Sequence, residues 1–155
     1  MKKDLERILF ILNKRHEKHF DSAASAFIKM DLEILLATAY FENRLVYKKN
    51  ESGRVQYFLI FSEQFRGDLN DTFIVFSHVY CTNNIQTTSV CLNEIKKVIK
   101  QSKNRVTKAL ITIDRDQTEL MKHFQKKGIL SAVELVGNVL YGIKKLSQKK
   151  KNPLL

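Results

Sequence analysis

The stretch from Phe73 to Lys100, FIVFSHVYCTNNIQTTSVCLNEIKKVIK, changes its hydrophobic period partway along, and that change constrains the fold more than any other feature of the chain. Phe73 to Cys81 is dense in β-branched and aromatic residues, which suit a pleated, largely buried strand. From Val90 onward the period lengthens to that of a helix, with Cys91, Ile95, Val98 and Ile99 on one side and Asn93, Glu94, Lys97 and Lys100 on the other. Thr87, Thr88 and Ser89 lie where the helix should begin, and their hydroxyls can cap its unpaired backbone donors. A strand that passes through a short polar loop into a helix presents free N–H groups and the positive end of the helix dipole, a setting that receives phosphate. The candidate site of the chain is therefore this loop.

On either side, the chain reads as alternating helices and strands. Leu5, Ile8, Leu9, Leu12 and His16 repeat at helical spacing, with Lys3, Arg7, Lys14 and Lys18 on a second face. After Asp21 and Ser22, a second helix runs on Ile28, Leu32, Leu35, Leu36 and Ala39 and ends near Asn43. Arg44–Lys49 and Val55–Ser62 read as a hairpin around Asn50, Glu51, Ser52 and Gly53, and Glu63–Asp71 reads as a polar loop. Beyond the central helix, Val106–Asp114 is a further β run. Asp116 with Glu119 is a capping-box-like pair opening a helix on Leu120, Met121 and Phe124, with Gly128 as its stop. The last structured part is a hairpin around Gly137 and Asn138. The sum is an α/β domain with a mixed sheet covered by helices, one domain over 1–146, followed by a basic tail over 147–155 that is expected to be disordered.

Composition narrows the partners. A chain of 155 residues with 44% hydrophobic content can bury a core without staples. The net charge of +11 points to anionic partners, including a phosphorylated cofactor or nucleic acid bound through the basic face of the first helix and the tail. Setting aside Lys144, Lys145, Lys149, Lys150 and Lys151, five of those charges, leaves +6 on the body. Cys81 and Cys91 sit in strand and helix rather than at ligand spacing, so buried thiols of a reducing compartment are expected. His16 and His19 have no companion ligands, and no metal is expected. MKKDLERILFIL interrupts its apolar run with Asp4, Glu6 and Arg7, unlike a signal peptide or a spanning helix, so a soluble cytoplasmic protein is expected.

The element order, with its strand, phosphate loop and helix, resembles the GNAT superfamily of acyl-CoA-dependent N-acetyltransferases over nearly the whole chain. The family loop reads Gln/Arg-x-x-Gly-x-Gly/Ala, and the aligned run is Gln86, Thr87, Thr88, Ser89, Val90 and Cys91. Gln86 agrees, while Ser89 and Cys91 stand where glycine or alanine is usual. The resemblance implies that this run holds the pyrophosphate of acetyl-CoA or another acyl-CoA, and that the backbone of Val79 and Cys81 pairs with the pantetheine arm at a splay in the sheet. A second family segment, Asn-x-x-Ala-x-x-Leu-Tyr-x-x-x-Gly-Phe, aligns with QTELMKHFQKKGI, placing Gln117 at the asparagine and Phe124 at the tyrosine that commonly protonates the departing thiolate, and the resemblance implies that both contact the cofactor. Phe124 has no proton to give. The family's carboxylate base is missing from Phe73–Cys81, which leaves His78, its one group titrating near neutral pH, as the candidate base for the amine.

Three functions stay open at this point. The first is an acyltransferase working on an amine, with catalysis resting mainly on positioning. The second is a GNAT-like binding module that has lost its chemistry. The third is a basic nucleic-acid-associated domain, without a helix-turn-helix or zinc signature to support it.

Overall fold

The helical repeat of Leu5, Ile8, Leu9 and Leu12 lies on α1 (Lys2–Glu17) of the computed structural model, with Ile8 and Leu12 wholly buried. The structure describes residues 2–17, 22–67, 71–102, 105–106, 108–114, 116–126, 132–136 and 139–145, and side chains at 2–15, 31–65, 67, 71–102, 105–106, 108–114 and 116–124. The expected stop at Gly128, the turn at Gly137 and Asn138, and the tail over 147–155 lie outside the described residues. Among the described residues no helix is long and apolar enough to cross a membrane.

The second helix, α2 (Ser22–Phe41), ends as its sequence suggests. Asn43 takes a left-handed conformation (φ 56°), and the Arg44 amide donates back to the Ala39 carbonyl at 2.7 Å. Asparagine tolerates that backbone where most side chains do not. The chain then enters β1 (Leu45–Lys49) and β2 (Val55–Arg66), joined by a turn in which Asn50 accepts from the Arg54 amide and the Ser52 hydroxyl, with Gly53 at φ 81°.

One expectation fails here. Glu63–Asp71 is not a polar loop: Glu63, Gln64, Phe65 and Arg66 continue β2 and pair with Ile74, Phe73, Thr72 and Asp71 of β3 (Asp71–Cys81). Ladder hydrogen bonds come from the backbone, so a strand can run past the core with polar side chains, which periodicity alone reads as loop.

From β3 the chain passes through α3 (Ile85–Ser102), β4 (Lys108–Asp114), α4 (Thr118–Lys126), β5 (Ala132–Val136) and β6 (Val139–Lys145). The six described strands lie in the order β1-β2-β3-β4-β6-β5, every pair antiparallel except β3 and β4, which run parallel across the α3 crossover. The sheet divides two cores. Tyr57, Leu59, Phe76, Ile111 and Ile113 pack against Cys91, Leu92 and Ile95 of α3 and Leu120 and Phe124 of α4. On the opposite face, Phe58 and Ile60 pack against Ile8 and Leu12 of α1 and Leu32 and Leu36 of α2. Each fully buried large side chain of this kind contributes about 1.5–3 kcal/mol over leaving it in water.

Candidate functional site

The site begins with one extra residue. Along β3, Phe76 stands opposite Phe61 and His78 opposite Ile60, so Ser77 is a bulge, its hydroxyl donating to the Ile60 carbonyl at 3.3 Å. A bulge bends its strand and sharpens the twist. Among the described residues the pairing of β3 with β4 runs from Phe73–Lys108 to Phe76–Ile111 and stops at that residue. Beyond it, Ser77–Cys81 and Thr112–Asp114 diverge into a V.

The bulge also sorts the side chains. Val79 and Cys81 enter the α3 core, while Tyr80 packs on the α1 and α2 side, its ring stacked on Phe58 at 5.3 Å. His78, opposite Ile60, shares the α1 and α2 face, with Nδ1 3.1 Å from the Ser77 hydroxyl. The Val79 and Cys81 carbonyls, expected to serve a pantetheine arm, already have partners. Arg15 Nη1 donates to Val79 O at 3.1 Å, and Gln117 Nε2 donates to Cys81 O at 3.0 Å. Because the Gln117 nitrogen must face that carbonyl, its Oε1 points elsewhere, and that buried atom has no partner.

The helix start differs from the expected one. α3 opens at Ile85, one turn before Ser89, and its cap is Asn84, whose Oδ1 accepts from the Thr87 amide at 2.8 Å and whose carbonyl accepts from the Thr88 amide at 3.0 Å. Asn83 and Asn84 precede the apolar period and carried the signal, but three hydroxyl residues after them competed for the same role. The run Gln86–Cys91 therefore occupies the first two turns of α3. Thr87, Thr88 and Cys91 are buried, with the Thr88 hydroxyl donating back to the Asn84 carbonyl at 2.7 Å, while Gln86, Ser89 and Val90 face outward. The amides from Ser89 onward belong to the helical ladder, which leaves those of Ile85 and Gln86 as free donors. They open on a hollow of about 430 Å³ lined by Asn83, Asn84 and Glu119. A wider hollow of about 1010 Å³ meets the same cap from the α1 side, with Lys3, Arg7, Arg54 and Tyr80 in its wall.

Asn83 completes the arrangement by capping α4. The Glu119 amide donates to Asn83 Oδ1 at 3.2 Å, so the expected Asp116–Glu119 capping pair is replaced by a cap from the loop before α3. Two helix starts thus meet at adjacent asparagines. Phe124 is 1% exposed and packs wholly in the α3 side of the core. Cys81 and Cys91 are buried free thiols in contact. The hydrogen bond to Cys81, with burial, pushes the Cys91 thiol up, and the same bond holds the Cys81 thiol below its usual range.

Sequence reasoning missed Arg15 and Asp114. Arg15 is ion-paired with Asp114 at the end of β4, so it ties both arms of the V. The available signal was a cation following the Ile8 and Leu12 stripe at helical spacing.

By sequence, no family model and no curated protein matches the chain. Solved structures do. A GNAT-family acetyltransferase from Streptococcus pneumoniae is similar at 14% identity over 94% of this chain and 95% of its own, with a TM-score of 0.59. A GNAT-family acetyltransferase from Listeria monocytogenes is similar at 12% identity over 93% and 90%, TM-score 0.51. The PaiA N-acetyltransferase from Thermoplasma acidophilum, solved in complex with coenzyme A, is similar at 13% identity over 92% and 93%, TM-score 0.54. With the parallel β3–β4 pair, the bulge and the helix start aligned at one place, the chain has the fold of the GNAT acetyltransferases, in a divergent form.

Proposed function

We propose that the protein is an acyl-CoA-dependent N-acyltransferase, moving acetyl or another acyl group from a thioester to an amine. The observation that carries this reading is the V between β3 and β4, opened by the Ser77 bulge directly ahead of the α3 start. A neighbour of the same fold solved with coenzyme A supports a ligand of that class.

The residues fit such a ligand in three respects. The free amides of Ile85 and Gln86 suit a pyrophosphate, with Lys3, Arg7 and Arg54 adding positive charge nearby. The unpartnered Gln117 Oε1 suits an amide N–H of the pantetheine arm. The carbonyl of Cys81 has a second lone pair for a further donor beside Gln117, while Arg15 keeps that of Val79 engaged. Of the expected contacts, Ser89, Val90 and Cys91 would act only by shaping the helix start, and Thr87, Thr88 and Phe124 by packing beneath it.

In the reaction, the amine nitrogen forms a bond to the thioester carbon, the carbon–sulfur bond breaks, and CoA leaves as a thiolate. His78, on the α1 and α2 face, takes the proton lost by the amine, and water protonates the thiolate in place of the usual tyrosine. Holding amine and thioester together then provides most of the acceleration. A second reading is a GNAT-fold module that binds acyl-CoA without turnover, favoured by the wholly buried Phe124 and the engaged carbonyls.

The test is calorimetric titration with CoA and acetyl-CoA of the wild type and of Gln86→Pro. Proline is tolerated in the first helical turn and deletes one free amide. Micromolar binding, weakened about tenfold in the variant, is the expected result, from loss of one charge-assisted hydrogen bond. Absence of binding at millimolar ligand overturns the reading. Release of CoA thiol with an amine present separates the enzyme from the silent module.

A further inference from the structure

Arg15 sits on the α1 side of the V with only 16% of its side chain exposed. Nη1 donates to the Val79 carbonyl at 3.1 Å, Nη2 is ion-paired with the Asp114 carboxylate, and Asp116 Oδ1 lies 3.9 Å from Nη2. The guanidinium carbon is 5.6 Å from the centroid of the Tyr80 ring. Carbonyl oxygen, carboxylate and aromatic face, drawn from both arms of the V, converge on one cationic group. Each is a recogniser of positively charged nitrogen, through charge-assisted hydrogen bonding, ion pairing and the ring quadrupole. Asp114 is 23% exposed, so losing its cation would leave a largely desolvated charge unpaired.

We infer that this is a binding site for a cationic alkylammonium or guanidinium group, and that Arg15 occupies it in the resting protein as an internal stand-in for the acceptor substrate. The acceptor is then a flexible, positively charged aliphatic amine rather than a neutral aromatic amine or an alcohol. Asp116 gives the displaced guanidinium a second carboxylate on the solvent side, at 59% exposure, so Arg15 can surrender Val79 O and Asp114 while its charge stays paired. The role as acceptor pocket rests on the acyltransferase reading, whereas the cation site does not.

Arg15→Ala in the full chain tests the site without CoA. Ethylguanidinium, n-propylamine and n-propanol at millimolar concentration are added to the wild type, to Arg15→Ala and to Arg15→Ala/Asp114→Asn, with melting temperature and calorimetric binding as readouts. The two cations should raise the melting temperature of Arg15→Ala by roughly 3 °C, as a ligand of the folded state does, and propanol should not. Wild type, with its site filled, and the double variant, with its carboxylate removed, should not respond. Equal shifts in all three proteins, or none in Arg15→Ala, overturn the proposal. Where Arg15→Ala folds poorly, recovery of native signal on refolding with ethylguanidinium is the readout, and no recovery overturns it. A variant that takes ethylguanidinium but no acetyl-CoA retains the cation site and sinks the acyltransferase reading, and the converse result does the reverse.

Discussion

On the acyltransferase reading Gln117 contributes to both stability and binding, and the two contributions separate by substitution. Gln117→Leu removes the bond to Cys81 O and also the unpartnered oxygen, so the lost hydrogen bond is partly offset. Chemical denaturation should show a loss of about 1 kcal/mol or less, while CoA affinity falls about tenfold. Asp4 behaves differently. It is buried at the start of α1, and Lys49 Nζ and Tyr47 Oη donate to its carboxylate at 3.1–3.2 Å. The Lys49 hydrogen bond, with help from Tyr47 and against the cost of burial, holds its carboxyl below the ordinary value of 3.8. A carboxyl lowered in the folded state stabilises fully above its unfolded value and loses that contribution as pH falls through the folded one. Thermal melts should therefore show Asp4→Asn below wild type at neutral pH, with the gap closing as the solution is acidified below about 3.8. The role of Asp4 could not be read from the sequence, where it served only to break an apolar run, whereas Gln117 as a cofactor contact followed from its alignment with a family asparagine and its bond to Cys81 O did not.

Among the elements, β3 shows what periodicity could and could not supply. The density of β-branched and aromatic residues identified the strand, and the longer period after Val90 identified the helix, because both signals come from burial of a face. The bulge left no such mark, since Ser77 is a small residue in a run where both faces are partly covered. It nevertheless decides where the sheet opens. Deleting Ser77 makes a sharp test, because Phe76, Val79 and Cys81 would still alternate onto the α3 face with His78 and Tyr80 on the other. The deletion variant should fold, with near-native circular dichroism, yet lose the CoA binding proposed above as β3 zips further along β4. Retained affinity would mean that the bulge is not what makes the site. The helix start was misplaced by one turn for a related reason: any of Asn84, Thr87, Thr88 and Ser89 can cap, and only the packing of Thr87 and Thr88 into the core selects Asn84.

For the molecule as a whole, the order β1-β2-β3-β4-β6-β5 sets β1–β3 with α1 and α2 on one side of the V, and β4–β6 on the other. Among the described residues the strands of the two halves meet along four pairs, Phe73–Lys108 to Phe76–Ile111. The closed end is fastened by Lys108 to Asp71 at 2.6 Å and by Arg105 Nε to Glu63 at 2.9 Å, and the open end by Arg15. A seam so short, formed between strands joined by a long crossover, should be the place where the protein opens below its global unfolding transition. Native-state hydrogen exchange should thus resolve β1–β2–β3 and β4–β6 as two cooperative units, with amides along the seam following the less stable one. A molecule lodged in the V would act as a rivet through both plates: it would raise the free energy of opening, make the two units exchange as one, and turn occupancy of the site into a mechanical property of the entire sheet.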